Sequence, residues 1–150
     1  MSIENKKYKI GYTSGVFDLF HIGHLNILMM SKKMCEFLIV GVNTDELVRQ
    51  YKHKTPIIPY DERFSIIEAV RYVDKAVPQT SRDKVKAFEE YQFDVMFMGD
   101  DWKNTLLYIE AESELNKRGV SVVYFPYTHN TSSTLLRKVM VHLYNTNEQI

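Results

Sequence analysis

Two histidines, His21 and His24, stand inside the run Gly15-Val16-Phe17-Asp18-Leu19-Phe20-His21-Ile22-Gly23-His24. A β-like stretch over residues 8–13 precedes this run, and a helix-like stretch over 25–34 follows it. A strand that ends in a glycine turn and restarts as a helix leaves unpaired N–H groups converging on one spot. Those donors and the helix dipole together attract phosphate. The imidazoles add side-chain donors there, which points to chemistry on a nucleotide phosphate. A polar helix cap and a metal pair are the competing readings. The metal set is incomplete, because His53, His129 and His142 form no local cluster with the pair. The strand–Gly–Phe–Asp setting favours phosphate.

Other residues add donors and charge. Ser132, Ser133 and Thr134 open the apolar-periodic stretch 135–143. Their hydroxyls can cap that helix or donate to a β- or γ-phosphate. Lys52 and Lys54 lie in a segment broken by Pro56 and Pro59, which reads by default as solvated charge on a mobile loop. Asp18 suits a turn-holding role through hydrogen bonds to neighbouring backbone. Of Asp100 and Asp101, one is expected to contact ribose or base and the other to cap the next helix. Trp102 either packs on the base or covers the core edge. Met29, Met30 and Met34 read as filler.

These residues need a scaffold, and the chain alternates accordingly. Short apolar runs fall at 8–13, 37–42, 75–77, 95–98 and 120–125. Between them apolar residues recur at helical spacing: Leu25, Leu28 and Met29; Phe64, Ile67, Ala69, Val70 and Val73; Val85, Phe88 and Tyr91; Leu106, Ile109 and Leu115. Leu135, Leu136, Val139 and Leu143 mark a last helix. The alternation predicts a single α/β domain, a Rossmann-like doubly wound parallel sheet with helices on both faces. Ligands in such a sheet bind beyond the carboxyl ends of the strands. Segments 15–24, 43–45, 99–102 and 128–134 all fall there. The core is expected over 8–143, with a frayed tail to 150.

Bulk properties exclude several classes. The 150 residues fit one domain. Lys plus Arg and Asp plus Glu number 19 each, so no basic excess marks a general nucleic-acid binder. Cys35 is the only cysteine, which fits a reducing cytoplasm. No apolar run reaches the length of a membrane span, and the first residues lack the apolar core of a signal peptide.

The decapeptide 15–24 resembles the signature of the small nucleotidyltransferase superfamily, the HxGH proteins. Within it the chain is similar to the glycerol-3-phosphate cytidylyltransferases and their choline-phosphate and ethanolamine-phosphate relatives. Further matches are Val42-Asn43-Thr44-Asp45-Glu46, Lys52 and Lys54, Glu62-Arg63, Arg71-Tyr72-Val73-Asp74 and Gly99-Asp100-Asp101-Trp102. The resemblance implies transfer of a cytidylyl group from CTP to a small phosphorylated alcohol, with Mg²⁺ accompanying the triphosphate, in a homodimer. A product such as CDP-glycerol would feed wall or capsule polymer synthesis. It implies catalytic roles for His21, His24, Lys52 and Lys54, the lysines closing over the triphosphate. Nucleotide contacts fall to Ser14, Gly15, Val16, Phe17, Gly23, Asp100, Thr128, Ser132, Ser133 and Thr134. Acceptor contacts fall to Arg63, Arg71 and Asp18, with Arg71 favoured over Arg63. No protein-held metal site is implied.

One segment departs from the family. Its closing motif Arg-Thr-Glu-Gly-Ile-Ser-Thr-Thr is here Tyr127-Thr128-His129-Asn130-Thr131-Ser132-Ser133-Thr134. Tyr127 stands where an arginine would grip the phosphates, and His129 is the candidate to supply the missing charge. Either the grip is rebuilt, or the protein is slower or takes another ligand. ATP as donor, a different phosphate or phosphonate acceptor, and a non-catalytic nucleotide-binding regulator are the alternatives.

Overall fold

The computed structural model describes residues 5–128 and 131–147. Strands β1 (Tyr8–Gly15), β2 (Cys35–Asn43), β3 (Lys75–Gln79), β4 (Val95–Gly99) and β5 (Ser121–Phe125) form one sheet. Its order is β3-β2-β1-β4-β5 and every pairing is parallel. The order reverses between β1 and β4, which opens a crevice at their carboxyl ends. Gly15 lies opposite Val42 across β1 and β2, and Gly99 lies opposite Phe125 across β4 and β5.

Strand alternation builds a core on each face. On one face Leu38, Val40, Val42, Val95 and Phe97 pack with Leu28 of helix α1 (Ile22–Met34) and Ile67 of helix α3 (Tyr60–Ala69), α2 lying between them in the chain. On the other, Tyr12, Ile39, Val77, Met96 and Met98 pack with Leu115. Leu115 belongs to helix α5 (Leu106–Lys117), and Ala87, Phe88 and Tyr91 of helix α4 (Lys84–Tyr91) cover the same side. Helix α6 (Ser133–Asn147) closes the described chain. The expected doubly wound sheet is therefore present, with β1 to β4 longer at their carboxyl ends by one or two residues and β5 ending at Phe125 as expected.

Four local expectations need correction. Helix α2 (Asp45–Lys52) went unread because only Leu47 and Val48 are buried on it. Thr44 caps it by accepting from the Leu47 N–H, and Asp45 and Glu46 complement its dipole. Helix α3 stops at Ala69, so Val70 and Val73 pack against the core from the turn that follows it. Segment 53–59 is not a loose loop. The Asp18 carboxylate accepts from the N–H groups of Ile57 and Ile58, at 2.7 and 2.8 Å. Arg63 Nε donates to Ile58 O and Arg137 to Thr55 O. The predicted tail is helical as far as Asn147.

Candidate active site

The β1–α1 connection carries the histidines, and its glycines act by allowing close approach. Gly15 is the last residue of β1, while the left-handed positions of the turn are Phe17 (φ 55°) and Leu19 (φ 50°). Each costs backbone energy that the surroundings must hold in place. Arg63 donates to Val16 O, and Ser133 Oγ donates to Asp18 O. Gly23 is needed for room, since a Cβ there would lie 2.8 Å from the His21 ring.

The two imidazoles cap α1 reciprocally. Gly23 N–H donates to His21 Nδ1 at 3.0 Å, and His21 N–H donates to His24 Nδ1 at 3.3 Å. The expected cradle of free backbone amides is thus largely occupied by the histidines themselves. An Nδ1 that accepts carries no proton, so each ring keeps its hydrogen on Nε2. Desolvation lowers the pKa of both rings, that of His24 to about 3 with His21 and Lys52 adding repulsion. Both are neutral donors near pH 7, with Nε2–H left for the cleft they line. Each ring can therefore cap the helix through Nδ1 and still offer Nε2–H to the cleft.

The cleft has a volume of about 300 Å³ and gathers residues from all five strand ends. Ser14, Gly15, Val16, Phe17, Asp18, Gly23, Thr128, Ser132, Ser133 and Thr134 line it, as do Lys52 and Lys54. Ser132 Oγ accepts from the Leu135 N–H, so this hydroxyl is a helix cap. Lys52 has a lowered pKa, first from desolvation and then from repulsion by Lys54 and Arg82.

Three expected contacts fall elsewhere. Arg63 is 1% exposed and spends its guanidinium on Ile58 O, Val16 O, Asn43 O and Asp45. It braces the turn and does not line the cleft. Arg71 lies outside the cleft, on the turn after α3, where it bonds the Tyr72 hydroxyl. Asp100 accepts from the Tyr127 N–H and ties β4 to the segment after β5, while Asp101 takes the cleft position. Asp18, read above both as a turn holder and as an acceptor contact, has both oxygens bonded to backbone amides. His129 and the Trp102 side chain lie outside the described residues.

Lys84, Arg82 and Arg137 line the cleft and were not foreseen. Lys84 is 6% exposed, and its ammonium donates to Ser14 Oγ at 2.8 Å. No carboxylate pairs with it among the described residues, and desolvation drives its pKa down to about 8, with Arg82 adding repulsion. Its other partner is the face of the Tyr108 ring, 6.0 Å from the ammonium, and a buried cation with no counter-charge can receive an anion. The readable signal was topological. The carboxyl end of β3 leads into the same cleft, through Arg82 in the turn and Lys84 at the start of α4. Lys52, Lys54, Arg82, Lys84 and Arg137 face the cleft against Asp18 and Asp101, so a chain of zero net charge concentrates positive charge here.

The sequence matches the cytidylyltransferase-like family over residues 12–139. It is 33% identical over 132 residues to the glycerol-3-phosphate cytidylyltransferase of Bacillus subtilis (strain 168), covering 87% of this chain and 96% of that protein. It is 34% identical over 127 residues to the enzyme of the same name from Staphylococcus aureus (strain NCTC 8325 / PS 47), covering 84% and 90%. Among solved structures, the lipopolysaccharide core biosynthesis protein from Thermoplasma volcanium GSS1 superposes with a TM-score of 0.68 at 30% identity, over 83% of this chain and 99% of that one. Pantoate-beta-alanine ligase from Francisella tularensis shares the fold alone, with a TM-score of 0.61 at 12% identity over 83% of this chain and 61% of that one. With the match spanning most of the sequence and the paired imidazoles intact at the first crossover, this chain belongs to the cytidylyltransferase-like family.

Proposed function

We propose that this protein joins CTP to glycerol 3-phosphate, forming CDP-glycerol and releasing pyrophosphate. The observation that carries the reading is the near full-length match to two glycerol-3-phosphate cytidylyltransferases. The cleft supports it with donors suited to two separate anions. Its imidazoles, hydroxyls and loop lysines suit a triphosphate, and Lys84 with Arg82 suits the acceptor phosphate.

In this reading a phosphate oxygen of the acceptor attacks the α-phosphorus in line. A new P–O bond forms as the bond to the β-phosphate oxygen breaks, and pyrophosphate carries away the electron pair. The nucleophile is already an anion, so the site needs positioning and charge stabilisation and no strong base. His21 and His24 donate through Nε2–H to oxygens that gain charge. Lys52 at the end of α2 and Lys54 in segment 53–59 neutralise the triphosphate, and Asp18 holds that segment against the β1–α1 turn. Arg137 rebuilds the grip lost with the arginine that Tyr127 replaces, because it reaches the same cleft from the second turn of α6.

Mg²⁺ belongs to this proposal as a charge-neutralising partner of the triphosphate. Among the described residues no three acidic, histidine or cysteine side chains cluster as ligands. That donor set fits an ion held mainly by phosphate oxygens and water. A homodimer working in the cytoplasm is part of the same reading. Among the described residues no helix is long and apolar enough to cross a membrane. The test is a panel of CTP and ATP against glycerol 3-phosphate, choline phosphate and ethanolamine phosphate. Product mass should identify CDP-glycerol from the first pairing. Failure of that pairing alongside turnover of another refutes the assignment.

A further inference from the structure

Beneath the cleft, a line of polar side chains crosses the sheet from β1 to α2. Lys84 Nζ donates to Ser14 Oγ at 2.8 Å. Two residues back on the same strand face, Tyr12 Oη donates to Gln79 Oε1, Gln79 Nε2 donates to Asn43 Oδ1 at 2.9 Å, and Asn43 Nδ2 donates to Tyr51 Oη at 3.0 Å. An ammonium has only donors to offer, so Ser14 accepts from Lys84. Tyr12 gives its single O–H to Gln79, and each following group then accepts at one end and donates at the other. The polarity of this line is set at Tyr12, which is 1% exposed.

The line stops at Tyr51, which has accepted from Asn43 and still carries a proton. No acceptor for that proton is within hydrogen-bonding reach among the described residues, and Tyr51 lines the cleft. Arg82 lies over its ring at 4.4 Å from the centroid and also faces the cleft. No carboxylate pairs with Arg82 among the described residues. A directed hydroxyl, a guanidinium fixed by the ring of the same tyrosine, and the Lys84 ammonium thus converge on one region. All three are donors, and the ligand they match is an oxyanion.

We infer that Tyr51 is a binding residue for the phosphate of the second substrate, its proton directed into the cleft by the Tyr12–Gln79–Asn43 relay. Tyr12, Gln79 and Asn43 are positioning residues that act through Tyr51. The inference deepens the proposed function, since it assigns the acceptor subsite of that reaction.

Calorimetric titration with inorganic phosphate, without CTP, tests it apart from turnover. The wild-type protein binds phosphate. Tyr51→Phe keeps the ring under Arg82 and binds about tenfold or more weakly, the usual loss for one hydrogen bond to a charged group. Tyr12→Phe leaves Tyr51 in place but interrupts the relay, and it weakens binding by about threefold. The double variant binds no worse than Tyr51→Phe alone, because both changes act on one proton. In turnover, Tyr51→Phe raises KM for the phosphorylated acceptor and leaves KM for CTP within about twofold. Absence of phosphate binding in the wild type, unchanged affinity in Tyr51→Phe, or additive losses in the double variant overturns the assignment. Tyr51-dependent phosphate binding without CDP-glycerol formation refutes the proposed function and leaves this inference standing. CDP-glycerol formation with Tyr51-independent phosphate binding does the reverse.

Discussion

Lys84 should make the unliganded protein less stable than it would be with an apolar side chain in its place. Folding takes its ammonium out of water and supplies one hydroxyl and the face of the Tyr108 ring at 6.0 Å but no carboxylate, so desolvation, with repulsion from Arg82, lowers its pKa from 10.5 to about 8. That difference corresponds to about 3 kcal/mol. Between these two values the unfolded chain binds more protons than the folded one. Stability from this group therefore rises with pH across about 8 to 10.5, and below pH 8 the full penalty applies. Lys84→Met keeps most of the stem's volume and removes the charge. It should gain up to about 3 kcal/mol at pH 7, which for a chain of this size is a rise in Tm of about 6–12 °C. The gain should vanish near pH 10.5, where wild-type Lys84 is neutral in both states. Urea unfolding of the two proteins at pH 7, 9 and 10.5 measures this directly. Saturating phosphate should raise the Tm of the wild type and not of the variant, because an anion in the cleft compensates the charge. Equal stabilities at pH 7, or a gain that persists at pH 10.5, would refute the view of Lys84 as an uncompensated buried cation.

His24→Ala should lower kcat by about 10²–10³-fold, the usual cost of one oxyanion donor, as measured by pyrophosphate release. Because the folded pKa of His24 is about 3, its titration should produce no acidic limb in kcat between pH 5 and 7. Its contribution to stability should be lost progressively as pH falls from 6.5 towards 3. Arg137→Gln should raise KM for CTP by about tenfold or more. Adding Tyr127→Arg to that variant should recover much of the loss. Steady-state kinetics with varied CTP would show no effect of Arg137→Gln if the phosphate grip lies elsewhere.

Much of this protein was legible without coordinates because its signals are local. Residues 37–42 are apolar throughout, as suits a strand covered on both faces, and they lie within β2, buried from Leu38 onward while Phe37 stays exposed. The spacing of His21, Gly23 and His24 follows from one capped helix start, in which a single turn of backbone decides where both rings lie. Strand-to-helix alternation was enough to place the ligand cleft at the carboxyl ends.

The three-dimensional arrangement decided what each charge is for. Arg63 and Lys84 are both buried cations, and nothing in their flanking sequence separates them. Arg63 meets three carbonyls and a carboxylate and becomes a brace, whereas Lys84 meets one hydroxyl and the face of the Tyr108 ring and becomes a site. Asp101 takes the cleft position expected of Asp100, and neither caps α5, because the turn after β4 directs Asp100 towards Tyr127 and Asp101 towards the cleft. The line from Tyr12 to Tyr51 joins residues from β1, β3, β2 and α2. Periodicity and caps are properties of neighbouring residues, so the sequence alone reveals them. The partner of a buried charge is set by which distant strands lie side by side, and only the folded sheet determines that.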